Sequence, residues 1–227
     1  MASATACARP RAASSCVGGA LISRKFYLDP PDLVARNLLG KLLVRTGGAE
    51  GTMIGRIVEV EAYFGESDPA AHSFAGKTAR NAVLFGPPGH AYVYFIYGMH
   101  FCLNVSCDRE GRAGGVLFRA LEPICGLDAM AKARGVAAPG PLPPGPRAVA
   151  ALTSGPGRLC QAFGVTRMRD NGADFTSAES DLQIQDDGFL APQVLVTPRI
   201  GISKEAARPA RYLLAGNFCV SGRIAKK

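Results

Sequence analysis

The sequence predicts an α+β fold: one mixed domain of strands with helices around them. Three observations point there. The 227 residues, 48% of them hydrophobic, fit one domain with a substantial core. Residues 54–64, and the neighbouring stretches 91–97 and 100–107, alternate apolar and polar side chains as strands do; Gly98-Met99 joins the latter two into a hairpin. Helical patterns carrying Leu33, Val34, Leu38 and Leu39, and again over Leu127–Arg134, are interspersed with them. No apolar run is long enough to span a bilayer, so a membrane is not expected as a partner.

Taken in order, residues 1–25 hold Ala, Ser, Gly and Arg with little periodicity. They read as a disordered basic arm, or as an organelle targeting segment. Folding is expected from residue 26. Asp29-Pro30-Pro31 reads as a helix start, a capping carboxylate followed by prolines that need no donor. A short strand follows at 41–45. In the strand 54–64, Val58, Val60, Ala62 and Phe64 point to the core, and Glu59, Glu61 and Tyr63 share the other face. Such a face is most often solvated surface.

Residues 65–90 are rich in Gly and Pro, and a long loop in a compact domain is usually functional. His72, Arg80 and Asn81 stand out in it. On the hairpin, Tyr92, Tyr94 and Ile96 share one face with His100, Cys102 and Asn104 alternating opposite; Asn is a poor strand former. A strand at 116–122 carries Arg119, which calls for a carboxylate or phosphate partner, whether substrate or structural ion pair. Residues 135–147 read as an exposed Pro/Gly-rich loop inside the domain, not as a boundary. A helix after Gly155-Pro156-Gly157, ended by Gly164, and strands at 194–202 and 212–221 complete the chain.

The net charge of +8 suggests an anionic partner, nucleic acid first. The excess sits at the ends. Residues 1–25 carry four bases and no acid; residues 199–227 carry seven bases against Glu205; the middle is left at −2. Seven cysteines without a Cys-x-x-Cys pair read as reduced thiols in a reducing compartment. The same lack of ligand spacing leaves no expected metal site.

Several motifs fall in one order: Val60-Glu61-Ala62-Tyr63, Ala70-Ala71-His72, Thr78 with Arg80-Asn81, Tyr92-Val93-Tyr94, Tyr97-Gly98-Met99, Asn104-Val105, Arg119-Ala120-Leu121-Glu122-Pro123, Ser154-Gly155-Pro156-Gly157 and Arg199-Ile200-Gly201-Ile202. The set resembles the alkyladenine, or 3-methylpurine, DNA glycosylase family over roughly residues 26–221. The resemblance implies a curved antiparallel sheet with a protruding hairpin, no cofactor and no metal. It implies a monomer that meets duplex DNA containing damaged purines from the minor groove, without an obligate protein partner. Glu61 would be the general base, and Arg119 would hold the attacking water and keep Glu61 ionised. Tyr63, His72, Tyr94 and Asn104 would form the base pocket, and Tyr97 with Met99 would fill the gap left by the flipped nucleotide. Arg80 and Asn81 would lie near the DNA backbone. Where the family often has Thr-Pro-Arg-Asn, Ala79 stands in place of the proline, and Ala210 follows Pro209 where an aromatic is common.

The chemistry agrees with these residue types. A base in a duplex must be extruded to be reached, and a wedge offsets the unstacking. A ring-methylated purine is cationic, so tyrosine faces attract it. Such a base leaves easily, which explains how one carboxylate suffices where glycoside hydrolases use two. A neutral lesion such as hypoxanthine needs a proton, and His72 is the one candidate donor. Two other readings remain: a non-catalytic minor-groove binder on the same fold, and a hydrolase of small nucleosides.

Overall fold

The structure, a computed structural model, describes residues 18–48, 51–96, 98–138 and 145–222. In chain order its strands are β1 (Ala20–Leu21), β2 (Leu42–Arg45), β3 (Met53–Tyr63), β4 (Ala91–Ile96), β5 (His100–Cys107), β6 (Gly114–Cys125), β7 (Leu182–Asp186), β8 (Val194–Pro198) and β9 (Pro209–Leu214). The helices are α1 (Pro31–Leu38), α2 (Leu127–Arg134), α3 (Pro146–Thr153), α4 (Pro156–Ala162) and α5 (Arg167–Asp170). The strands make one curved antiparallel sheet in the order β1-β7-β2-β3-β6-β5-β4, and β9 adds to β3 with β8 outside it.

β3 is the longest-range organiser of this sheet. β6 pairs it along Ile54–Tyr63, while β2 pairs only Met53–Arg56 and β9 only Glu59–Glu61. Since β6 occupies one edge throughout, β2 and β9 take successive parts of the other edge. The register shifts between Ile57 and Val60 mark the change, a bulge that bends the strand. Val58, Val60 and Ala62 enter the core as the alternation predicts. The opposite face is not solvated: Glu59 and Glu61 are both fully buried, Glu59 against Arg119, Arg211 and Ser221, and Glu61 against Arg119, Tyr63 and the Ile200 amide.

The hairpin forms with Ile96 opposite His100, and Gly98 takes the left-handed conformation that a three-residue loop needs. Tyr97 lies outside the described residues. α1 packs on β3 and β6, and α3 and α4 pack on β6 and β5. Residues 154 and 155 are tied to β6, by the Ala120–Ser154 bridge and by the Gly155 N–H donating to the Arg119 carbonyl at 3.0 Å.

Several sequence expectations are corrected. Pro30, not Asp29, takes the position before α1 and makes no side-chain cap; Pro31 starts the helix, its fixed φ doing the work expected of a capping carboxylate. Residues 18–25 belong to the fold rather than to an arm: β1 pairs with β7, and Arg24 pairs with Asp174. Residues 1–17 lie outside the described residues. The Pro/Gly-rich loop ends at residue 145, since Pro146 and Arg147 open α3; residues 139–144 are outside the described residues. The last two strands are shorter than 194–202 and 212–221. Cys102, Cys107, Cys160 and Cys219 are free and buried.

Among the described residues, no helix is long and apolar enough to cross a membrane.

Candidate active site

One cavity of about 370 Å³ opens on the concave side of β3, β4, β5 and β6. Glu61, Tyr63, His72, Tyr94, Asn104 and Arg119 all line it. The strand pattern explains the convergence. Glu61 and Tyr63 are two residues apart on β3 and so share a face; Tyr92 and Tyr94 share one on β4, as Cys102 and Asn104 do on β5. Register sets them side by side, with Tyr92 opposite Asn104 and Tyr94 opposite Cys102.

Glu61 is the chemical centre. Its Oε1 accepts from the Ile200 amide at 2.8 Å and lies 3.2 Å from Arg119 Nη1; its Oε2 accepts from the Tyr63 hydroxyl at 3.0 Å. Burial raises its pKa. Arg119, the Ile200 amide and the Tyr63 hydroxyl oppose that rise without cancelling it, and Glu59 adds to it. Glu61 is therefore a carboxylate that takes a proton more readily than a surface glutamate does. The same environment holds Tyr63 and Tyr94 protonated, chiefly by burial.

Behind Glu61 lies a second layer. Arg119 Nε donates to Glu59 Oε1 at 2.9 Å, and Arg211 Nε donates to the same oxygen at 2.6 Å. Burial pulls the Arg119 guanidinium down, but Glu61 and Glu59 outweigh it and hold its pKa raised. Beside this group, Arg199 makes a bidentate pair with Asp68 at 2.5 and 2.9 Å and lies 4.6 Å from the centre of the Tyr63 ring. One face of Tyr63 is thus taken, and only the other is open to a ligand. Burial works against ionisation of Asp68, but its bonds from Arg199 and from the Phe64 and Ala70 amides win and hold its pKa low.

The far wall is aromatic. The His72 and Tyr94 rings meet edge to face, 4.4 Å between centroids, and His72 Nδ1 is 3.0 Å from the Tyr92 hydroxyl. Burial of part of the ring, then the nearby Arg80 charge, lower the His72 pKa. The nearby Arg80 charge also limits the rise that burial imposes on the Tyr92 hydroxyl. The Asn104 amide nitrogen donates to the Tyr92 carbonyl at 3.1 Å. The Cys102 thiol is pushed up to about 11 by burial and is no nucleophile at neutral pH.

One expected residue is placed otherwise. Asn81 is buried, accepting from the Thr78 amide and donating to the carbonyls of His72 and Gly76. It staples the loop that carries His72 and presents nothing to a DNA backbone. Arg80 is exposed, as is Met99 at the hairpin tip, 69% accessible.

Sequence reasoning missed the floor and the lid. Glu59, Arg211 and Ser221 surround Arg119, and Ile200, Gly201 and Ile202 wall the cavity from a segment expected to be strand. The only local signal was a run of charged residues, Glu59 and Arg211, inside apolar strands. Among the described residues, no group of three or more His, Cys, Asp or Glu side chains comes together as a metal site.

The sequence model of the methylpurine-DNA glycosylase family matches residues 25–218. A protein of Koribacter versatilis is 57% identical over 210 residues, covering 92% of this chain and 97% of its own. One of Burkholderia lata is 46% identical over 210 residues, 92% and 95% of the two chains, and one of Methanocella arvoryzae 45% over 206 residues, 89% and 96%. All three carry the provisional name 3-methyladenine DNA glycosylase.

Proposed function

The chain belongs to the methylpurine-DNA glycosylase family, a DNA glycosylase and so a hydrolase of N-glycosyl bonds acting in DNA repair, and on that premise we propose how its cavity works. A damaged purine swings out of the duplex and enters between the open face of Tyr63 and the ring pair His72–Tyr94. Glu61 takes a proton from water as the water oxygen bonds to the sugar's anomeric carbon. The bond from that carbon to the purine nitrogen breaks, and its electron pair leaves with the base. A cationic methylpurine departs neutral, so no acid is required. An abasic site and a free base remain, and no lysine-linked intermediate forms.

The observation that carries this reading is Glu61 itself, a buried carboxylate facing a ring-lined cavity with its pKa raised. A general base works best when its pKa lies near the working pH, and burial moves Glu61 that way. Arg119, 3.2 Å away, holds the water with Glu61 and limits the rise. His72 meets the purine as a neutral ring, not as its acid, because its pKa is lowered and its Nδ1 is occupied by Tyr92. Asn104 reads the substituents of the purine ring from the floor. The hairpin, with Met99 exposed beside Gly98, enters the minor groove and fills the vacated stack together with Tyr97. Arg80 meets the DNA backbone. The enzyme acts as a monomer.

The test uses duplexes that each carry one 7-methylguanine, ethenoadenine or hypoxanthine, assayed for free base and alkali-labile strands. Glu61→Gln is expected to lose about 10²–10⁴ in rate, the share a positioned base supplies, while still binding the lesion duplex. Turnover near that of the unmodified protein would remove Glu61 from the role. Damaged-DNA binding without any base release would favour a non-catalytic binder.

A further inference from the structure

We propose that Glu59, clamped by Arg211 and Ser221, is a positioning residue for the reaction: it fixes the Arg119 guanidinium against Glu61 and sets the charge in which Glu61 ionises. The inference rests on Glu61 being the base. Glu59 Oε1 accepts from Arg119 Nε at 2.9 Å, Arg211 Nε at 2.6 Å and the Ser221 hydroxyl at 2.9 Å; Oε2 takes the Ser221 amide. The Ser221 hydroxyl in turn accepts from Arg119 Nη2 at 3.3 Å. One edge of the Arg119 guanidinium is thereby held by Glu59 and Ser221. Nη1 is the nitrogen left over, and it points at Glu61. Arg119 cannot turn toward or away from the water without breaking two bonds behind it.

The same clamp balances charge. Glu61 is faced by Glu59 and Tyr63 from β3 and by Arg119 from β6, while Arg211 from β9 reaches it through Glu59. The Asp68–Arg199 pair lies behind Tyr63, and Tyr94 and Cys102 face it from the hairpin, both protonated. Two carboxylates and two guanidiniums form the inner group, with no net charge. A buried ion pair is weak evidence for stability, since apolar residues of similar volume serve as well. Four charged groups under a reacting carboxylate are therefore better explained by what they hold in place.

The experiment is single-turnover release of 7-methylguanine, a cationic base that needs no acid to leave, from a duplex carrying one such lesion, as a function of pH. Glu59→Gln removes a negative charge near Glu61, so the acidic limb of the profile is expected to move to lower pH. Arg211→Gln removes a positive charge and is expected to move it to higher pH. Each shift is about one unit, the size that a neighbouring charge produces. Both variants lower the plateau roughly 10- to 100-fold, as misplacement of a catalytic group does. Arg211→Lys keeps the positive charge and returns the midpoint toward that of the parent, and Glu59→Gln binds the lesion duplex as before.

A merely structural clamp would lower the melting temperature and leave plateau and midpoint in place; that result, or two midpoints moving the same way, overturns the inference. If Arg211→Gln does not fold, Ser221→Ala removes only a hydroxyl from the same clamp; an unchanged plateau there overturns the inference as well. Glu61→Gln is run alongside, and full activity in that variant strikes at the base assignment instead.

Discussion

Glu61 sits where two demands conflict. Its carboxylate must be ionised to accept a proton, yet burial disfavours the charge. A folded pKa above the unfolded value means that the native state binds the extra proton over the interval between them. Ionised Glu61 therefore works against folding above its folded pKa, and that burden is relieved as pH falls through it. Catalysis runs the other way, and is lost as pH falls through the same raised value. The Tyr63 hydroxyl is one of three groups that hold the rise in check. A hydrogen bond to a charged group contributes about 1.5 kcal/mol, and each pKa unit is about 1.4 kcal/mol. Tyr63→Phe is thus expected to push the acidic limb of the rate profile up by about one unit while keeping the ring as a stacking surface. A pH–rate profile with an unmoved midpoint would show that the hydroxyl does not act on Glu61.

At the scale of elements, the loop between β3 and β4 is built from short-range staples around a few tight positions. Gly65 is the tightest. Its φ is +63°, and a Cβ added there would lie 1.8 Å from the Ala113 carbonyl oxygen. Gly65→Ala therefore has to push the loop off β6, and the expected loss is about 2–4 kcal/mol by urea titration. Because Asp68 and His72 follow within the same loop, lesion binding falls with it. A variant as stable as the parent would mean that the loop relocates freely.

This element level is also where reading the sequence succeeded unevenly. Glu61, Tyr63, Tyr94 and Asn104 were legible because strand alternation is local and puts each on a known face. The burial of that face was not, since it draws on Arg211, Ser221 and the Ile200 amide, some 150 residues downstream. Glu59 looked equivalent to Glu61, and only the arrival of Arg211 and Ser221 separates the clamped carboxylate from the one that lines the cavity. Asn81 looked like a polar loop residue for DNA because its three loop partners are unremarkable backbone groups. α3 was hidden by the prolines before it, and β7 by a Gln-rich pattern whose two apolar residues, Leu182 and Ile184, carry the burial.

For the whole molecule, the formal charge of +8 survives folding, but not where the sequence places it. Arg199 and Arg211 belong to the basic C-terminal excess, yet both are buried against Asp68 and Glu59. Folding did bring that segment beside the aromatic stretch, but to neutralise carboxylates, so these two arginines are not phosphate contacts. For about three phosphates, affinity for a lesion duplex is expected to fall roughly 10- to 100-fold between 50 and 200 mM salt. A steeper slope, measured by titration across that range, would reveal a wider basic footprint.

The change of neighbour along one edge of β3 has a further consequence. Past the bulge, the sheet forks: one branch runs through β2 and β7 to the N-terminal segment, the other through β9 to β8. The Ile200–Ile202 wall of the cavity lies between β8 and β9 on the second branch and is tied back to the stem by the Ile200 amide on Glu61. Insertions or drift in that wall would alter the cavity's rim and the setting of Glu61 together, while the first branch stays as it is.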